Sequence, residues 1–356
     1  MATIEMTTTK GRNPSIELLR ILAMFGIVVG HFYISAMGMY EDFRVDVSTP
    51  SGGALWSVLE VIKILSMPSV NCYILISGYF LINKYSVRTK GIWKVWSETW
   101  FYSVLLTGIV LLTGIEPVSG SELLTAIFPF FRNEYWFITT YILLMFMAPF
   151  MSIMVGHLSK RQYQILLLVG FVICFQYPLG QYMYTEQQIL LFLYLYLIGG
   201  YIRLHVREMS PSRPAIAAVV VIAVMLAYCF GKNKVGGSDS FAIFAMSNNG
   251  LPLILSVCIF LFFRNIRIHG RVGQWINAIA PLSLAVYLIH SHPLLTQWLW
   301  DFVVAHVDTT PTAMLPLSCL GVSLVIFVAC MLVDSVRHAI APRVYSFFVK
   351  KDRKIC

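Results

Sequence analysis

Residues 135–155 read YWFITTYILLMFMAPFMSIMV, a stretch of 21 positions without a charged side chain. A helix needs about 20 apolar residues to cross the hydrocarbon core of a bilayer, so this stretch predicts a membrane-spanning helix. Reading outward from it in both directions gives ten stretches of similar character. They are residues 17–39, 56–82, 93–114, 135–155, 163–179, 187–202, 214–231, 243–263, 282–303 and 312–336.

The composition agrees with this count of helices. Of the 356 residues, 58% are hydrophobic and 12% are charged, whereas charged residues make up about a quarter of a soluble domain. The sequence therefore excludes a soluble globular protein and predicts an all-α, polytopic integral membrane protein, a bundle of about ten transmembrane helices. Because the fifth and sixth stretches are short, a re-entrant hairpin is an alternative for them. Six of the 7 cysteines lie in apolar stretches, which predicts free thiols, no structural disulfide and no metal site.

The distribution of Lys and Arg orients the bundle. Most of the 26 basic residues lie in the loops after even-numbered stretches and near the two chain ends, whereas the opposite loops carry Arg44, Arg132, Lys232 and Lys234. Because basic loops remain in the cytoplasm, both termini are predicted to be cytoplasmic. We call this side the basic end of the bundle. The predicted organisation is a polar tail at 1–15, a membrane domain at 16–338 and a basic tail at 339–356.

Two ionisable residues share one face of the first predicted helix. Arg20 and His31 lie about 16 Å apart along a helix, and eleven steps of 100° return nearly to the same face, which places His31 near mid-membrane. If Pro281 opens the ninth helix, His290 lies at the depth of His31, and Asn71 falls near the same level. Ionisable side chains inside a span are costly unless they face a partner or water. These residues therefore predict a polar cavity open toward the cytoplasm.

The other ionisable residues inside the stretches have a simpler explanation as local ion pairs on one helix face. The expected pairs are Glu60 with Lys63, Glu98 with Lys94, and Asp334 with Arg337 or Arg343.

Four ordered blocks of the sequence resemble a known family. They are ELLRILAMFGIVVGH at 17–31, ILISGYFL at 74–81, EYWF at 134–137 and SLAVYLIH at 283–290. With these blocks the chain resembles the membrane-bound acyltransferase-3 family, whose signature is Arg or Lys, then ten residues, then His. The blocks occur in the family's order and cover nearly the whole chain.

The resemblance implies an O-acyltransferase that moves an acyl group, acetyl first among them, from cytoplasmic acyl-CoA to a hydroxyl of a cell-surface glycan or its lipid-linked precursor. It implies that His31 is the catalytic base and that His290 orients it or the thioester carbonyl. An imidazole is suited to accept a proton near neutral pH, and a guanidinium is suited to bind phosphates. The residues implied for the donor are Arg20, Ser77, Gly78, Tyr79, Arg88 and Lys94. Those implied for the acceptor are Glu134, Trp136 and Asn71.

The expected partners follow from the same resemblance. They are acetyl-CoA or another short-chain acyl-CoA as donor, the glycan acceptor and membrane lipids, with a homo-oligomer left open and with no metal and no nucleic acid. The implied location is a bacterial cell membrane. A transporter or exporter of a polysaccharide or lipid-linked glycan is the main alternative, although the internal repeats of secondary transporters are not evident. A membrane scaffold in glycan assembly is a third.

Overall fold

The computed structural model describes residues 12–36, 50–175, 185–234, 250–306 and 312–352, and within these ranges the chain is helical, without a β-strand. The first seven helices are α1 (Pro14–His31), α2 (Pro50–Ser66), α3 (Ser69–Leu81), α4 (Thr89–Thr113), α5 (Gly120–Ile127), α6 (Trp136–Gly156) and α7 (Lys160–Phe175). The other seven are α8 (Thr185–His205), α9 (Ser212–Lys234), α10 (Gly250–Asn265), α11 (Gly270–Ile279), α12 (Ser283–His290), α13 (Pro293–His306) and α14 (Leu315–Asp352). A π-helical segment, Phe32–Ala36, extends α1.

Eight segments of the described chain are long and apolar enough to cross a membrane. They are Pro14–Ser35, Gly53–Leu81, Thr89–Thr113, Trp136–Gly156, Gln188–His205, Ser212–Gly231, Gly270–His290 and Leu315–Ile340. The fifth and eighth predicted stretches fall on α7 and α10, which have 16 residues each, and their remaining residues, 176–179 and 243–249, lie outside the described ranges. The predicted all-helical, polytopic membrane fold is confirmed.

The second span consists of two helices because Pro68 separates α2 from α3. Proline lacks an N–H and its ring clashes with the preceding turn, so a helix is interrupted there. Helix α3 begins at Ser69, whose hydroxyl faces Gly26 of α1. Because α3 runs toward the basic end, Asn71 lies nearer that end than Gly26 does. His31 is five residues after Gly26 on α1, which runs the other way, and therefore lies farther from the basic end. The prediction that Asn71 shares a level with His31 is wrong.

The ninth span begins earlier than predicted. It covers Gly270–His290, not 282–303, because α11 continues into α12 through a 3₁₀ turn that contains Pro281 near its start, where a missing N–H is tolerated. His290 is consequently the last residue of its helix. His31 is likewise the last residue of α1 and lies about 10 Å beyond the middle of Pro14–Ser35, at 1.5 Å per residue, rather than near mid-membrane.

Helix α1 lies at the centre of the bundle, where it contacts α3, α10, α11, α12 and α14. Its start is fixed by Asn13, whose side chain accepts a hydrogen bond from the Ser15 amide, with Pro14 at the first helical position. The hydroxyl of Ser15 donates to the carbonyl of Ile266, 2.9 Å away. This bond holds the start of α1 beside the end of α10, so the predicted cytoplasmic ends of these two helices lie next to each other.

Helices α3 and α8 touch through their backbones. A Cβ at Gly78 would lie 2.8 Å from the carbonyl carbon of Tyr196, and a Cβ at Gly199 would lie 2.9 Å from the amide nitrogen of Tyr79. Only glycine permits this approach, because ordinary carbon contacts are about 3.5 to 4.0 Å. The pair of glycines therefore sets the distance between the two helices.

The buried ion pairs agree with the sequence predictions in two of three cases. Lys63 and Glu60 pair at 2.8 Å, and Arg337 pairs with Asp334, as predicted. Glu98, however, pairs with Arg337 at 3.1 Å rather than with Lys94. Arg337 thus joins two carboxylates and links α14 to α4. Helix α14 also continues to Asp352, so most of the predicted tail 339–356 is helical, while residues 1–11 of the predicted tail 1–15 lie outside the described ranges.

Candidate active site

His31 and His290 meet at the ends of α1 and α12. The Nδ1 atom of His31 lies 2.9 Å from Nε2 of His290, and the ring centroids are 5.0 Å apart. His290 is 1% exposed, and His31 is only partly buried. The predicted convergence of the two histidines is therefore present as a direct hydrogen bond, with His31 as the more accessible partner.

The hydrogen bonds determine which ring nitrogens carry protons. Nδ1 of His290 is bonded to the carbonyl oxygen of Val286, and since a carbonyl can only accept, this nitrogen is the donor. In the neutral ring Nε2 of His290 is then an acceptor, so Nδ1 of His31 donates to it. Nε2 of neutral His31 consequently carries a free lone pair. This is the protonation state that a general base requires.

Ser291 adds a third polar group to the histidine pair. Its hydroxyl oxygen lies 3.3 Å from Nδ1 of His31 and 3.3 Å from Nε2 of His290. Tyr287 packs against His290 from one turn earlier, with ring centroids 6.4 Å apart at 80°. The sequence reasoning missed Ser291, although its position directly after His290 was the available signal.

Arg20 is paired, which the sequence reasoning also missed. Its Nη1 atom lies 2.9 Å from Oε2 of Glu17, three residues earlier on α1, and the Arg20 side chain is 30% exposed. The hydroxyl of Tyr73 donates to the backbone carbonyl of Arg20 at 3.0 Å. Glu17 thus offsets the charge of Arg20 on the same helix face, and the i, i+3 spacing would have predicted this pair.

The three donor residues predicted on α3 are placed differently from one another. The Ser77 hydroxyl is bonded to the carbonyl of Tyr73 at 3.0 Å and to the hydroxyl of Tyr141 at 3.1 Å. Gly78 packs against the backbone of α8 and has a structural role there. Tyr79 is partly buried at the basic end and contacts arginine side chains. Of the three, Tyr79 has the surroundings best suited to an anionic ligand.

The other predicted donor residues lie at the start of α4. Arg88 directly precedes this helix and Lys94 lies within its first two turns, and both side chains are exposed. Neither forms an ion pair with a carboxylate of the described residues. Binding of the donor by Arg88 and Lys94 stays a prediction.

The predicted acceptor residues have internal partners. Glu134 is 4% exposed, accepts a hydrogen bond from Ser103 at 2.6 Å and lies 3.9 Å from Nε2 of His292. Burial raises the pKa of its carboxyl to about 7, and the bond from Ser103 acts in the opposite direction. Trp136 begins α6 and packs 6.3 Å from the ring of Phe192.

Asn71 and Glu134 are therefore not displayed on an open surface. Asn71 is fully buried and donates to the hydroxyl of Ser256 at 3.2 Å, which joins α3 to α10. Contact of Glu134, Trp136 or Asn71 with an acceptor stays a prediction. The link between Glu134 and His292 joins residues more than 150 positions apart, and no feature of the sequence indicated it.

Comparison with known proteins identifies the family. The family model Acyl_transf_3, described as an acyltransferase domain, matches residues 13–334. No curated protein and no solved structure matches the chain. The matched range includes the Arg20 and His31 block, all of α3 and the whole of α12. The chain therefore belongs to the acyltransferase-3 family and is a multi-pass membrane acyltransferase.

Proposed function

We propose that this acyltransferase moves a short acyl group, with acetyl as the first candidate, from cytoplasmic acyl-CoA to a hydroxyl of a cell-surface glycan or its lipid-linked precursor. The observation that carries the proposal is the hydrogen bond between His31 and His290. It leaves Nε2 of His31 able to accept a proton at the more accessible side of the pair. The glycan acceptor and a bacterial cell membrane come from the family resemblance.

In the proposed reaction His31 acts as general base. Its Nε2 takes the proton of the acceptor hydroxyl while the hydroxyl oxygen attacks the thioester carbonyl carbon. The carbon–sulfur bond then breaks, the new ester forms, and the departing thiolate recovers the proton from Nε2 of His31. Proton transfer by a positioned side chain contributes about 10²- to 10⁴-fold to a rate.

His290 is proposed to position His31 and to stabilise its charged form. When His31 becomes an imidazolium, its Nδ1 still donates to Nε2 of His290, and this bond becomes charge-assisted and therefore stronger. The bond between His290 and the Val286 carbonyl holds the His290 ring in the accepting orientation. The pair thus resembles other catalytic sites in which a hydrogen bond to a second polar side chain orients the base.

Arg20 is proposed to contact the donor on the same helix face as His31. The two residues are eleven positions apart, or about 16 Å along the axis. The pantetheine arm of CoA likewise holds the thioester at a distance from the phosphates, so the thioester can lie near His31 while a phosphate lies near Arg20. A guanidinium that already shares one N–H with Glu17 keeps other N–H groups for a phosphate. The donor would thus lie along the face of α1 that carries Arg20 and His31.

The test uses the detergent-purified full chain. Calorimetry with acetyl-CoA, and with free CoA as the comparison ligand, is run on wild type, Arg20→Ala and His31→Ala, and release of CoA thiol is followed after addition of a glycan-containing envelope fraction. We expect Arg20→Ala to bind acetyl-CoA more weakly, and His31→Ala to bind it but to lose turnover.

His306→Ala serves as a matched control, because His306 is exposed and lies outside the histidine pair. It should bind and turn over acetyl-CoA as wild type does. If folded wild-type protein neither binds nor consumes any short-chain acyl-CoA, the proposal is wrong.

A further inference from the structure

Two arginines from different helices contact the ring of Tyr79. Nη1 of Arg203, near the end of α8, donates to the Tyr79 hydroxyl at 3.1 Å, and Cζ of Arg203 lies 5.0 Å from the ring centroid. Cζ of Arg264, near the end of α10, lies 5.7 Å from the same centroid. Three helices therefore bring two positive charges to one aromatic side chain.

No carboxylate of the described residues forms an ion pair with Arg203 or Arg264. Arg264 donates to the backbone carbonyl of Val206 at 2.8 Å, with a second, longer contact to that of Arg207. By contrast Arg20, Arg267 and Arg337 each pair with a carboxylate. Two positive charges beside one ring repel each other, and an anion that contacts both offsets this repulsion.

The pair lies farther toward the basic end than Arg20. Tyr73, whose hydroxyl bonds to the carbonyl of Arg20, is six residues before Tyr79 on α3, which corresponds to about 9 Å along the helix. The bond between Ser15 and the Ile266 carbonyl holds the start of α1 next to the end of α10 that carries Arg264. The Tyr79 cluster thus lies nearer the basic end than Arg20, by about 9 Å along the axis of α3.

We propose that Arg203, Arg264 and Tyr79 form a binding site for phosphate groups. A guanidinium presents N–H groups in a planar fork that fits two phosphate oxygens. Because the Tyr79 oxygen accepts a bond from Arg203, its own O–H remains to donate to a third oxygen. The ligand is a phosphate monoester or pyrophosphate, and the identification of that ligand as the nucleotide end of acyl-CoA rests on the proposed function.

The site is tested by comparing two donors that share a thioester but differ in phosphates. Acetyl-CoA carries phosphates and S-acetylpantetheine carries none. KM and kcat for both are measured for full-length wild type, Arg203→Gln, Arg264→Gln and Arg267→Gln. Arg267→Gln is the matched control, since it removes an equal charge three residues after Arg264 from a side chain that pairs with Glu208 and is 77% exposed.

We expect Arg203→Gln and Arg264→Gln each to raise KM for acetyl-CoA by about tenfold to a hundredfold, the range for loss of a hydrogen bond to a charged group. Their kcat and their kcat/KM for S-acetylpantetheine should remain those of wild type, as should every constant of Arg267→Gln. Equal losses with both donors, or no loss with acetyl-CoA, would overturn the phosphate site.

A second measurement separates this site from the proposed function. If wild type does not use acetyl-CoA, the proposed donor is wrong, and the phosphate would come from a lipid headgroup. Thermal unfolding is then compared in nanodiscs of phosphatidic acid, whose headgroup is a phosphate monoester, and of phosphatidylcholine. A stabilisation by phosphatidic acid that Arg203→Gln and Arg264→Gln lack and Arg267→Gln keeps supports the site, and equal behaviour of all variants refutes it.

Discussion

Substitution of His290 by glutamine or asparagine separates its two hydrogen bonds. A Gln amide reaches about as far as imidazole Nε2, so Gln at this position can accept from Nδ1 of His31 while losing the bond to Val286. An Asn amide reaches only as far as imidazole Nδ1, so it can keep the bond to Val286 but leaves Nδ1 of His31 without its acceptor. The proposed positioning role predicts that Gln, not Asn, preserves activity.

The magnitude follows from the bond that changes strength during the reaction. A hydrogen bond between neutral groups contributes about 1 kcal/mol net, and one to a charged group about 1.5 to 3 kcal/mol. Removing the acceptor of His31 therefore raises the barrier by about 0.5 to 2 kcal/mol, which lowers kcat about twofold to thirtyfold. KM for acetyl-CoA should not change, because His290 lies at the end of the spans opposite the basic end.

The assay is the initial rate of transfer of radiolabelled acetyl from acetyl-CoA to envelope glycan in inverted membrane vesicles, normalised to the amount of folded protein. His290→Ala should match His290→Asn, and His290→Gln should stay within about threefold of wild type, a loss of under 1 kcal/mol. An Asn variant as active as the Gln variant, or a change confined to KM, would refute the reasoning.

Two further predictions concern helix packing and pH. Gly78→Ala should lower the melting temperature, because its Cβ would meet backbone atoms of Tyr196 that cannot rotate away, at a cost of about 1 to 3 kcal/mol. Gly108→Ala in α4 is the control: its Cβ would meet nothing within 4 Å, so the melting temperature should stay equal or rise. Equal destabilisation by the two substitutions would contradict the packing role of Gly78. Glu134→Gln should gain stability over wild type as the pH rises from 4.5 to about 7. The raised pKa of the Glu134 carboxyl means that folded wild type holds this proton more tightly than the unfolded chain does, so wild type loses stability as the carboxyl ionises, whereas the Gln variant has no such proton to lose. Melting temperatures of both proteins across this range check it, and parallel curves would contradict it.

The sequence predicted that His31 and His290 lie at one level, and the structure agrees, but not for the reason that the count gave. The count started the ninth span at Pro281, whereas the span begins at Gly270, and both histidines end their helices rather than lying near mid-membrane. The all-helical membrane fold followed from apolar length alone, since a bilayer imposes one dimension on every span. These two predictions needed no knowledge of which helices are neighbours.

The failures came from features that depend on neighbouring helices or on proline context. Pro281 has the residue type of a helix start, but α11 already precedes it, and only the three-dimensional course of the chain shows this. Asn71 was misplaced because Pro68 divides its span into two helices. The clusters around Tyr79 and around Glu134 join distant parts of the chain, which a pattern in one segment does not reveal.

The histidine pair also has a consequence for how the protein is made. His31 and His290 are 259 positions apart, so His31 enters the membrane long before its partner has been synthesised. At about 5 to 20 residues per second, the interval is about 13 to 52 s. During that time Nδ1 of His31 lacks its hydrogen-bond acceptor, Nε2 of His290. A nascent chain therefore contains Arg20 and His31 before the general base is held in its active orientation. Activity should begin only after α12 has been inserted. A ribosome-bound chain that ends before residue 283 should therefore catalyse no acyl transfer.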